Sequence, residues 1–208
     1  MLRFDPAEHL PQNIYKMMIG CVVPRPIAFV SSIDEQGIYN LAPFSFFSAV
    51  CSKPPTILFC PGVRATTGKS KDTLRNVLAT KEFVVNIVSE EFAAAMNQTS
   101  AEVGPEVDEF VLSGLTPLAS ETVRAPRVAE SAVQMECRLR EAITISAEPG
   151  GASIVIGEVL RFHVDEALID NYKVDPDKLR AIGRMGGPTY TRTTDLFDMV
   201  RPKAGQIK

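Results

Sequence analysis

The sequence predicts a mainly β, antiparallel domain with a few short helices. At least six segments have the alternation or the apolar runs of β-strands, turn-forming stretches join them, and only three short segments have helical periodicity. This balance favours an antiparallel barrel or sandwich over a doubly wound parallel sheet. The 208 residues, 45% of them hydrophobic, suffice for one substantial core. No repeat or linker divides the chain, so we expect one domain over residues 1–208.

Three strands are predicted in the first third of the chain. They are residues 21–33, 39–50 and 56–60, and the turn-forming stretch DEQG separates the first two. Pro24 and Pro26 cannot donate ladder hydrogen bonds, so the first segment should lie at an edge or bend there.

Further strands follow in the second half of the fold. EFVVNIV, residues 82–88, has the composition of a strand. The two longest alternating segments are residues 131–145 and 152–169, and the turn EPGG lies between them. We therefore expect these two segments to form a hairpin.

Two helices are predicted in the middle of the chain. In residues 71–81 the apolar side chains have i, i+3, i+4 spacing, and Asp72 is the expected N-cap. A shorter helix should follow at residues 89–98, opened by Ser89 with acids in its first turn.

The remaining segments are a loop and a last helix. Residues 100–122 are rich in glycine, proline, serine and acids, which predicts loop structure. The stretch DPDKLRAIGRMGG predicts a helix with Asp175 as N-cap and Pro176 at its first position. Gly183 or Gly186 should end that helix.

Composition excludes several classes of function. There are 22 basic and 25 acidic residues, for a net charge of -3, so no nucleic-acid or membrane-surface partner is expected. No apolar run approaches the length of about 18 residues that a membrane span requires, and the N-terminus lacks the apolar region of a signal peptide. The 4 scattered cysteines indicate reduced thiols in a cytoplasmic protein. With only 2 histidines, we expect no metal site and no histidine-based triad.

A basic, hydroxyl-rich loop precedes the first predicted helix. GVRATTGKSKDT, residues 62–73, resembles a nucleotide-binding P-loop, but five residues rather than four separate Gly62 from Gly68. Arg64, Lys69 and Lys71 are cationic, and a helix start beside them attracts anions. The loop either binds a monophosphate or is a solvated surface loop, and its composition alone does not decide between the two.

Hydroxyl and amide groups interrupt several strands that otherwise have core composition. The clearest case is NLAPFSFFSAVCS, residues 40–52, in which serines alternate with phenylalanines. Burying a bare hydroxyl is unfavourable unless something hydrogen-bonds to it, so this segment is a candidate ligand wall. Asn86 either satisfies a neighbouring backbone group or belongs to a site, and His163 is expected to be structural.

Several of these stretches together resemble one known family. VVPRPIAFVSSIDEQGIYNLAPFSFFSAVCSKPPTILF, KDTLRNVLATKEFVVNIV and IGRMGGPTYTR resemble the flavin reductase-like, FMN-binding split-barrel family, in the family's order and most strongly over residues 21–192. The resemblance implies an antiparallel split β-barrel of Greek-key type. It also implies a homodimer that binds FMN non-covalently near the subunit interface.

The resemblance implies FMN contacts from four segments of the chain. The flavin edge and ribityl chain would be contacted by Arg25, Pro26, Ala28, Ser31 and Ser32. The ring system and ribityl chain would also be contacted by Asn40, Ala42, Pro43, Ser45, Phe46, Phe47 and Ser48. The phosphate would lie near Lys71, Asp72 and Thr73, and Arg184 and Tyr190 would approach the site from the same or the partner subunit. Because Ser45 and Ser48 are three residues apart, a regular strand would point them to opposite faces, so an irregularity is expected at Phe46–Phe47.

The implied activity is that of an oxidoreductase whose redox chemistry is carried by the flavin, so no catalytic side chain is assigned. The leading hypothesis is a reductase that takes a hydride from NADH or NADPH and passes electrons to a flavin, a ferric chelate, oxygen or a partner oxygenase. The alternative is an FMN-binding electron carrier without efficient NAD(P)H reaction. A third is a barrel without flavin that serves as an interaction module. No G-x-G-x-x-G fingerprint is present, so a nicotinamide would have to dock against the flavin without a Rossmann domain.

Overall fold

A seven-stranded antiparallel sheet forms the centre of the fold, in a computed structural model that describes residues 1–64 and 66–203. The strands in chain order are β1 (Ala28–Ile33), β2 (Tyr39–Phe44), β3 (Phe47–Ser52), β4 (Pro55–Phe59), β5 (Glu82–Ile87), β6 (Pro117–Leu118), β7 (Arg127–Val128), β8 (Val133–Thr144), β9 (Ser153–Val164), β10 (Ile169–Asp170), β11 (Lys173–Val174), β12 (Ile182–Arg184) and β13 (Tyr190–Arg192). The pairs β6–β7, β10–β11 and β12–β13 form separate small ribbons.

The order of strands across the large sheet is β2-β1-β5-β8-β9-β4-β3. Its two edge strands, β2 and β3, are consecutive in the chain and are separated only by Ser45 and Phe46. Three peptide steps span at most about 11 Å, so the two edges lie side by side and the sheet curls round on itself. The predicted mainly β, antiparallel fold and the β8–β9 hairpin are both confirmed.

Short helices lie around this sheet. They are α1 (Pro11–Cys21), α2 (Asp72–Thr80), α3 (Ala93–Gln98), α4 (Glu109–Ser113) and α5 (Pro176–Leu179), with 3-10 turns at Pro6–Glu8, Glu90–Phe92 and Glu166–Leu168. In the part of the chain that the structure describes, no helix is long and apolar enough to cross a membrane.

Two of the predicted strands differ from the observed ones. The segment predicted to begin at Cys21 becomes a strand only at Ala28, because Cys21 ends α1 and the two prolines between them cannot donate ladder hydrogen bonds. The predicted bend is therefore present. The segment 39–50 is two strands, interrupted at Ser45–Phe46, one residue before the expected position.

The helix ends also differ from the predictions. Lys71, not Asp72, is the N-cap of α2, and Asp72 lies in the first turn, where its carboxylate pairs with two arginines. Ser89 holds the N-cap position of the 3-10 turn before α3, but its side chain makes no capping hydrogen bond. The segment 100–122 is not all loop, because it contains α4, capped by the Asp108 side chain.

The last helix is much shorter than predicted. Asp175 is its N-cap, as expected, and accepts hydrogen bonds from two backbone N–H groups of the first turn. The helix ends at Leu179, because Arg180 adopts a left-handed conformation with φ 47°. Ile182 is then buried and begins β12, so Gly183 lies in a strand and does not cap a helix.

Apolar clusters cover both faces of the sheet at β1, whereas β3 and the second half of β8 are mostly exposed. One apolar cluster, on the inner face, contains Ala28, Val30, Phe59 and Phe83. A second cluster, under α3 and α4, contains Ile27, Phe29, Leu41, Met96, Phe110 and Ile182. The side chains of β1 alternate between the two clusters and residues 28–32 have no exposed surface, so Ser31 and Ser32 need partners inside the protein.

Candidate functional site

A cavity of about 210 Å³ lies where α1, the β2–β3 link, α3 and the β12–β13 ribbon meet. Among the residues predicted from the resemblance, Arg25, Pro43, Ser45, Arg184 and Tyr190 line it. The other lining residues are Tyr15, Ile19, Ile27, Met96, Asn97, Ser100 and Gly187, none of which was singled out from the sequence. The structure thus brings together predicted residues that are up to 165 positions apart in the chain.

Arg25 holds three walls of this cavity together. Its side chain is buried, and its Nη1 donates to the carbonyl oxygens of Ile19 and Val22, both at 2.7 Å, at the end of α1. Nη2 donates to the carbonyl oxygen of Met185 at 2.9 Å, and Nε donates to Ser45 Oγ at 3.3 Å. Burial lowers the pKa of Arg25, Tyr15 opposes that effect, and the charge of Arg184 adds to it. Most of the donors of Arg25 are therefore committed to the protein.

Arg184 and Tyr190, in the β12–β13 ribbon, form another wall of the cavity. The Arg184 guanidinium lies 4.4 Å from the centroid of the Tyr190 ring, a cation–π contact, and donates to the carbonyl oxygen of Gly187 at 2.7 Å. The Tyr190 hydroxyl donates to Asn97 Oδ1 at 3.2 Å. Backbone hydrogen bonds between Arg25 and Arg184 fix the ribbon against the β1 side of the cavity. Both residues reach the cavity from the same chain as Arg25.

The interruption between β2 and β3 presents Ser45 to the cavity. Ser45 Oγ accepts from Arg25, which leaves its O–H free to donate to a ligand. The central carbon of the Arg25 guanidinium lies 5.8 Å from the centroid of the Phe46 ring, over its face. Phe47 packs against the inner cluster, and the exposed Ser48 donates to its neighbour's carbonyl oxygen. The structure therefore places Ser45 but not Ser48 at the cavity.

Three of the predicted residues, Ser32, Asn40 and Thr73, belong to a buried polar network. Thr73 Oγ1 donates to Asn40 Oδ1 at 2.6 Å, and Ser32 Oγ donates to the same oxygen at 3.3 Å. Asn76 Nδ2 donates to Ser32 Oγ at 3.2 Å, and Asn40 Nδ2 donates to Glu109 Oε1 at 2.8 Å. These hydrogen bonds join α2, β1, β2 and α4, although the buried Asn76 Oδ1 accepts none from the described residues. They are not among the residues that line the cavity.

Glu109, at the centre of this network, was missed by the sequence analysis. Its Oε2 also accepts from the backbone N–H of Leu41 at 3.1 Å. Burial raises the pKa of Glu109 to about 7, the hydrogen bonds from Leu41 and Asn40 oppose the rise, and the charge of Asp72 adds to it. The signal in the sequence was the Asp108 cap followed by an apolar turn and Gly114, which predicts a short helix but not the partners of its acid.

The remaining predicted residues of this region, and Asn86, are not among the residues that line the cavity. Ser31 donates to the carbonyl oxygen of Pro126 and accepts from Asn86 Nδ2 at 3.2 Å. Asn86 also bonds the backbone of Phe29 and Val128, at 3.0 and 2.9 Å, so it satisfies backbone groups. Three further predicted residues are Ala28, within the inner cluster, Ala42, packed against it, and Pro26, which is exposed.

Carboxylates pair with two of the cations of the basic loop, Lys71 and Arg64. Lys71 Nζ lies 3.6 Å from Glu102 Oε1, and Thr66 Oγ1 donates to Glu102 Oε2 at 2.9 Å. Arg64 Nη2 lies 2.6 Å from Asp72 Oδ2. The hydrogen bond from Thr66 lowers the pKa of Glu102, and the charges of Lys71 and Arg64 lower it further, against a smaller effect of burial. Glu102 thus already pairs with Lys71 and accepts from Thr66, the two groups that an external anion would need at this place.

His163 has a structural contact, as expected. Its Nε2 lies 2.6 Å from Oε1 of the fully buried Glu136, which also accepts from the backbone N–H groups of Glu121 and Thr122. Burial opposes ionisation of Glu136, but the hydrogen bonds from Thr122 and His163 outweigh it and lower the pKa. Within residues 1–64 and 66–203, no group of three or more histidine, cysteine or acidic side chains could hold a metal ion.

Comparisons with known proteins agree on one family. The profile described as "Flavin reductase like domain" matches residues 19–180. Nitrilotriacetate monooxygenase component B from Bacillus cereus is 37% identical, with a TM-score of 0.91 and coverage of 96% of this chain and 98% of that one. The 2-nitrobenzoate 2-nitroreductase of Pseudomonas fluorescens is 31% identical, with a TM-score of 0.87 and coverage of 98% of both chains.

A third comparison concerns the fold alone. A protein of Shewanella frigidimarina, described as a flavin reductase with a split barrel domain, is 21% identical, with a TM-score of 0.83 and coverage of 97% of this chain and 100% of that one. The seven-stranded antiparallel sheet and the likeness to this structure confirm the predicted split β-barrel.

Proposed function

The chain belongs to the flavin reductase-like family, and from that premise we propose that it is an oxidoreductase that binds FMN non-covalently and takes electrons from NADH or NADPH. The observation that carries the proposal is the convergence of Arg25, Ser45, Arg184 and Tyr190 on one cavity. When bound, FMN supplies the hydride and one-electron chemistry, so the protein has only to bind and orient it.

The side chains of the cavity suit a flavin ring. Tyr15, Ile19, Ile27 and Met96 offer apolar or aromatic surface for its faces. The Ser45 O–H can donate to the polar ring edge or to a ribityl hydroxyl, and Arg25 keeps Ser45 in place by donating to its oxygen. The cavity of about 210 Å³ is below the roughly 300–1,000 Å³ of typical ligand pockets, so the cofactor would extend onto the adjoining surface.

For the phosphate we propose Lys71 and the first turn of α2. Lys71 is the N-cap and contributes no side-chain cap to the turn, so the helix start can attract an anion. Thr66 adds a hydroxyl donor at the same place. The phosphate would take over the contacts that Glu102 now makes. Asp72 would have an indirect part, because it is paired with Arg64 and Arg75.

We also propose a homodimer in the cytoplasm. Val50 on the edge strand β3, and Phe162 and Ile145 of the long hairpin region, are 53%, 56% and 67% exposed in the single chain. A second subunit would bury such apolar surface and could complete a site that is too small in one chain. The cysteines at positions 21, 51, 60 and 137 are free thiols, which supports a reducing compartment.

Two classes of electron acceptor are proposed from the relatives. The Bacillus cereus protein is a component of a monooxygenase, which favours a partner oxygenase as acceptor. The Pseudomonas fluorescens protein is a nitrobenzoate nitroreductase, which favours a nitroaromatic compound. Both relatives are more than 30% identical over almost the whole chain, so each class deserves a direct assay with the same reduced protein.

The proposal is tested on purified protein. We expect a yellow protein whose chromophore, released by heat, is FMN rather than FAD, and which bleaches when NADH or NADPH is added without oxygen. Bleaching by another reduced protein but by neither nicotinamide would identify an electron carrier instead. Colourless protein that binds no FMN on titration would refute both flavin functions.

A further inference from the structure

A second groove adjoins the cavity proposed for the flavin, with which it shares lining residues. Its volume is about 290 Å³, and it runs between α3 and the β12–β13 ribbon. Ala93 and Ala94 of α3 and Ile182 of β12 line it with apolar surface. Tyr190 and Asn97 line both cavities, and the hydrogen bond between them makes them a common wall.

One end of this groove carries an excess of positive charge. The Glu90 carboxylate accepts from Arg180 Nη2 at 2.7 Å and from Arg192 Nε. The hydrogen bonds from Arg192 and then Arg180 lower the pKa of Glu90, so the carboxylate stays ionised. Two guanidinium groups therefore face one carboxylate, and one positive charge remains unbalanced.

Arg192 has donors to spare for a ligand. Only its Nε is committed to Glu90, and within the described part of the chain its two Nη groups make no hydrogen bond to protein. A guanidinium with free Nη groups matches the two oxygens of a carboxylate. Asn97 and Thr191, which also line the groove, add polar groups along its length.

The size and shape of the groove limit the ligand further. At about 290 Å³ its volume is just below the roughly 300–1,000 Å³ of typical ligand pockets, which suits one ring rather than a dinucleotide. The two alanines offer a shallow apolar surface on which a flat ring can lie. We propose that this groove binds a single-ring aromatic carboxylate, with its ring against Ala93 and Ala94 and its carboxylate on Arg192. Its position beside the flavin rests on the proposed function, whereas the groove itself does not.

Benzoate is the probe for this site, and binding to the purified full-length protein is followed by calorimetry. We expect saturable binding of benzoate, and at least about tenfold weaker binding of benzamide, which has the same ring without the charge. Cyclohexanecarboxylate, which has the charge without the flat ring, should also bind more weakly. Equal binding of benzoate and benzamide would overturn the assignment, as would the absence of saturable benzoate binding.

Variants locate the site. Arg192→Gln should weaken benzoate binding by about tenfold, and Ala94→Leu should block the groove. Arg124→Gln is the matched control, because Arg124 is also a surface arginine paired with a glutamate but lies outside both cavities. Benzoate binding that is unchanged in Arg192→Gln would refute the site. An FMN titration on the same samples separates the two proposals, since failure of wild-type protein to bind FMN counts against the proposed function alone.

Discussion

The buried carboxyl of Glu109 should make the stability of the protein depend on pH in a defined direction. Its pKa is raised from 4.5 to about 7, mainly by burial. The unfolded chain therefore loses this proton near pH 4.5, whereas the native state keeps it up to about pH 7. The stabilisation by the Glu109 carboxyl is fully present below pH 4.5, its pKa in the unfolded chain. It is lost as the pH rises through about 7, its pKa in the native state. Between pH 5 and pH 8, the free energy of unfolding should fall by about 2–3 kcal/mol on this account.

Urea unfolding at pH 5 and pH 8 measures this effect in wild-type protein and in Glu109→Gln. Glutamine does not titrate, so the difference in unfolding free energy between the two proteins should change by about 2–3 kcal/mol over this range. Glu35→Gln removes an exposed acid from the β1–β2 turn and should leave the wild-type dependence intact. If the difference between wild-type protein and Glu109→Gln is the same at both pH values, the carboxyl does not titrate there and our account of the network is wrong.

The other predictions concern one close contact and the proposed phosphate site. A Cβ at Gly157 would overlap the Phe83 ring, so Gly157→Ala should lower the free energy of unfolding in urea by about 1–3 kcal/mol. Gly20→Ala, where a Cβ meets nothing within 4 Å, should be neutral or stabilise α1 by up to about 1 kcal/mol; equal losses would contradict the packing argument. Lys71→Ala should weaken FMN binding by about 1–3 kcal/mol in a fluorescence titration and leave riboflavin binding unchanged. Glu102→Gln should tighten FMN binding about several-fold, because the competing carboxylate is removed, and equal changes for riboflavin would argue against a phosphate contact.

The antiparallel sheet could be predicted because its signals are local. The alternation in β8 and β9 and the EPGG turn between them lie within about forty residues, and they define the hairpin without knowledge of the remaining fold. The helix α1 was missed, because only Ile19 of its eleven residues is buried in this chain. Apolar side chains such as Met18 are exposed in this chain, so the apolar residues of α1 do not mark one buried face.

The polar residues of the candidate site were found, but their partners were not. Ser32 and Thr73 were expected to contact a ligand, and the structure shows that their hydroxyls also bond Asn40, which is 8 and 33 positions away. Ser31 bonds a carbonyl oxygen 95 positions away. A hydroxyl in an apolar strand indicates that some partner exists, since leaving it unpaired is costly. Only the folded chain shows whether that partner is a ligand or another segment of the protein.

The short link at Ser45–Phe46 has a consequence for how this chain can fold during synthesis. The first two strands can pair as soon as they are made, but β3 reaches its place in the sheet only through β4. The partner of β4 is β9, where Thr56 lies opposite Glu158, about a hundred residues later. Ribosomes add roughly 5–20 residues per second, so β3 and β4 remain without their partner β9 for several seconds. During this time the large sheet cannot close. Over that interval the apolar residues flanking the link are available to chaperones or to another nascent chain.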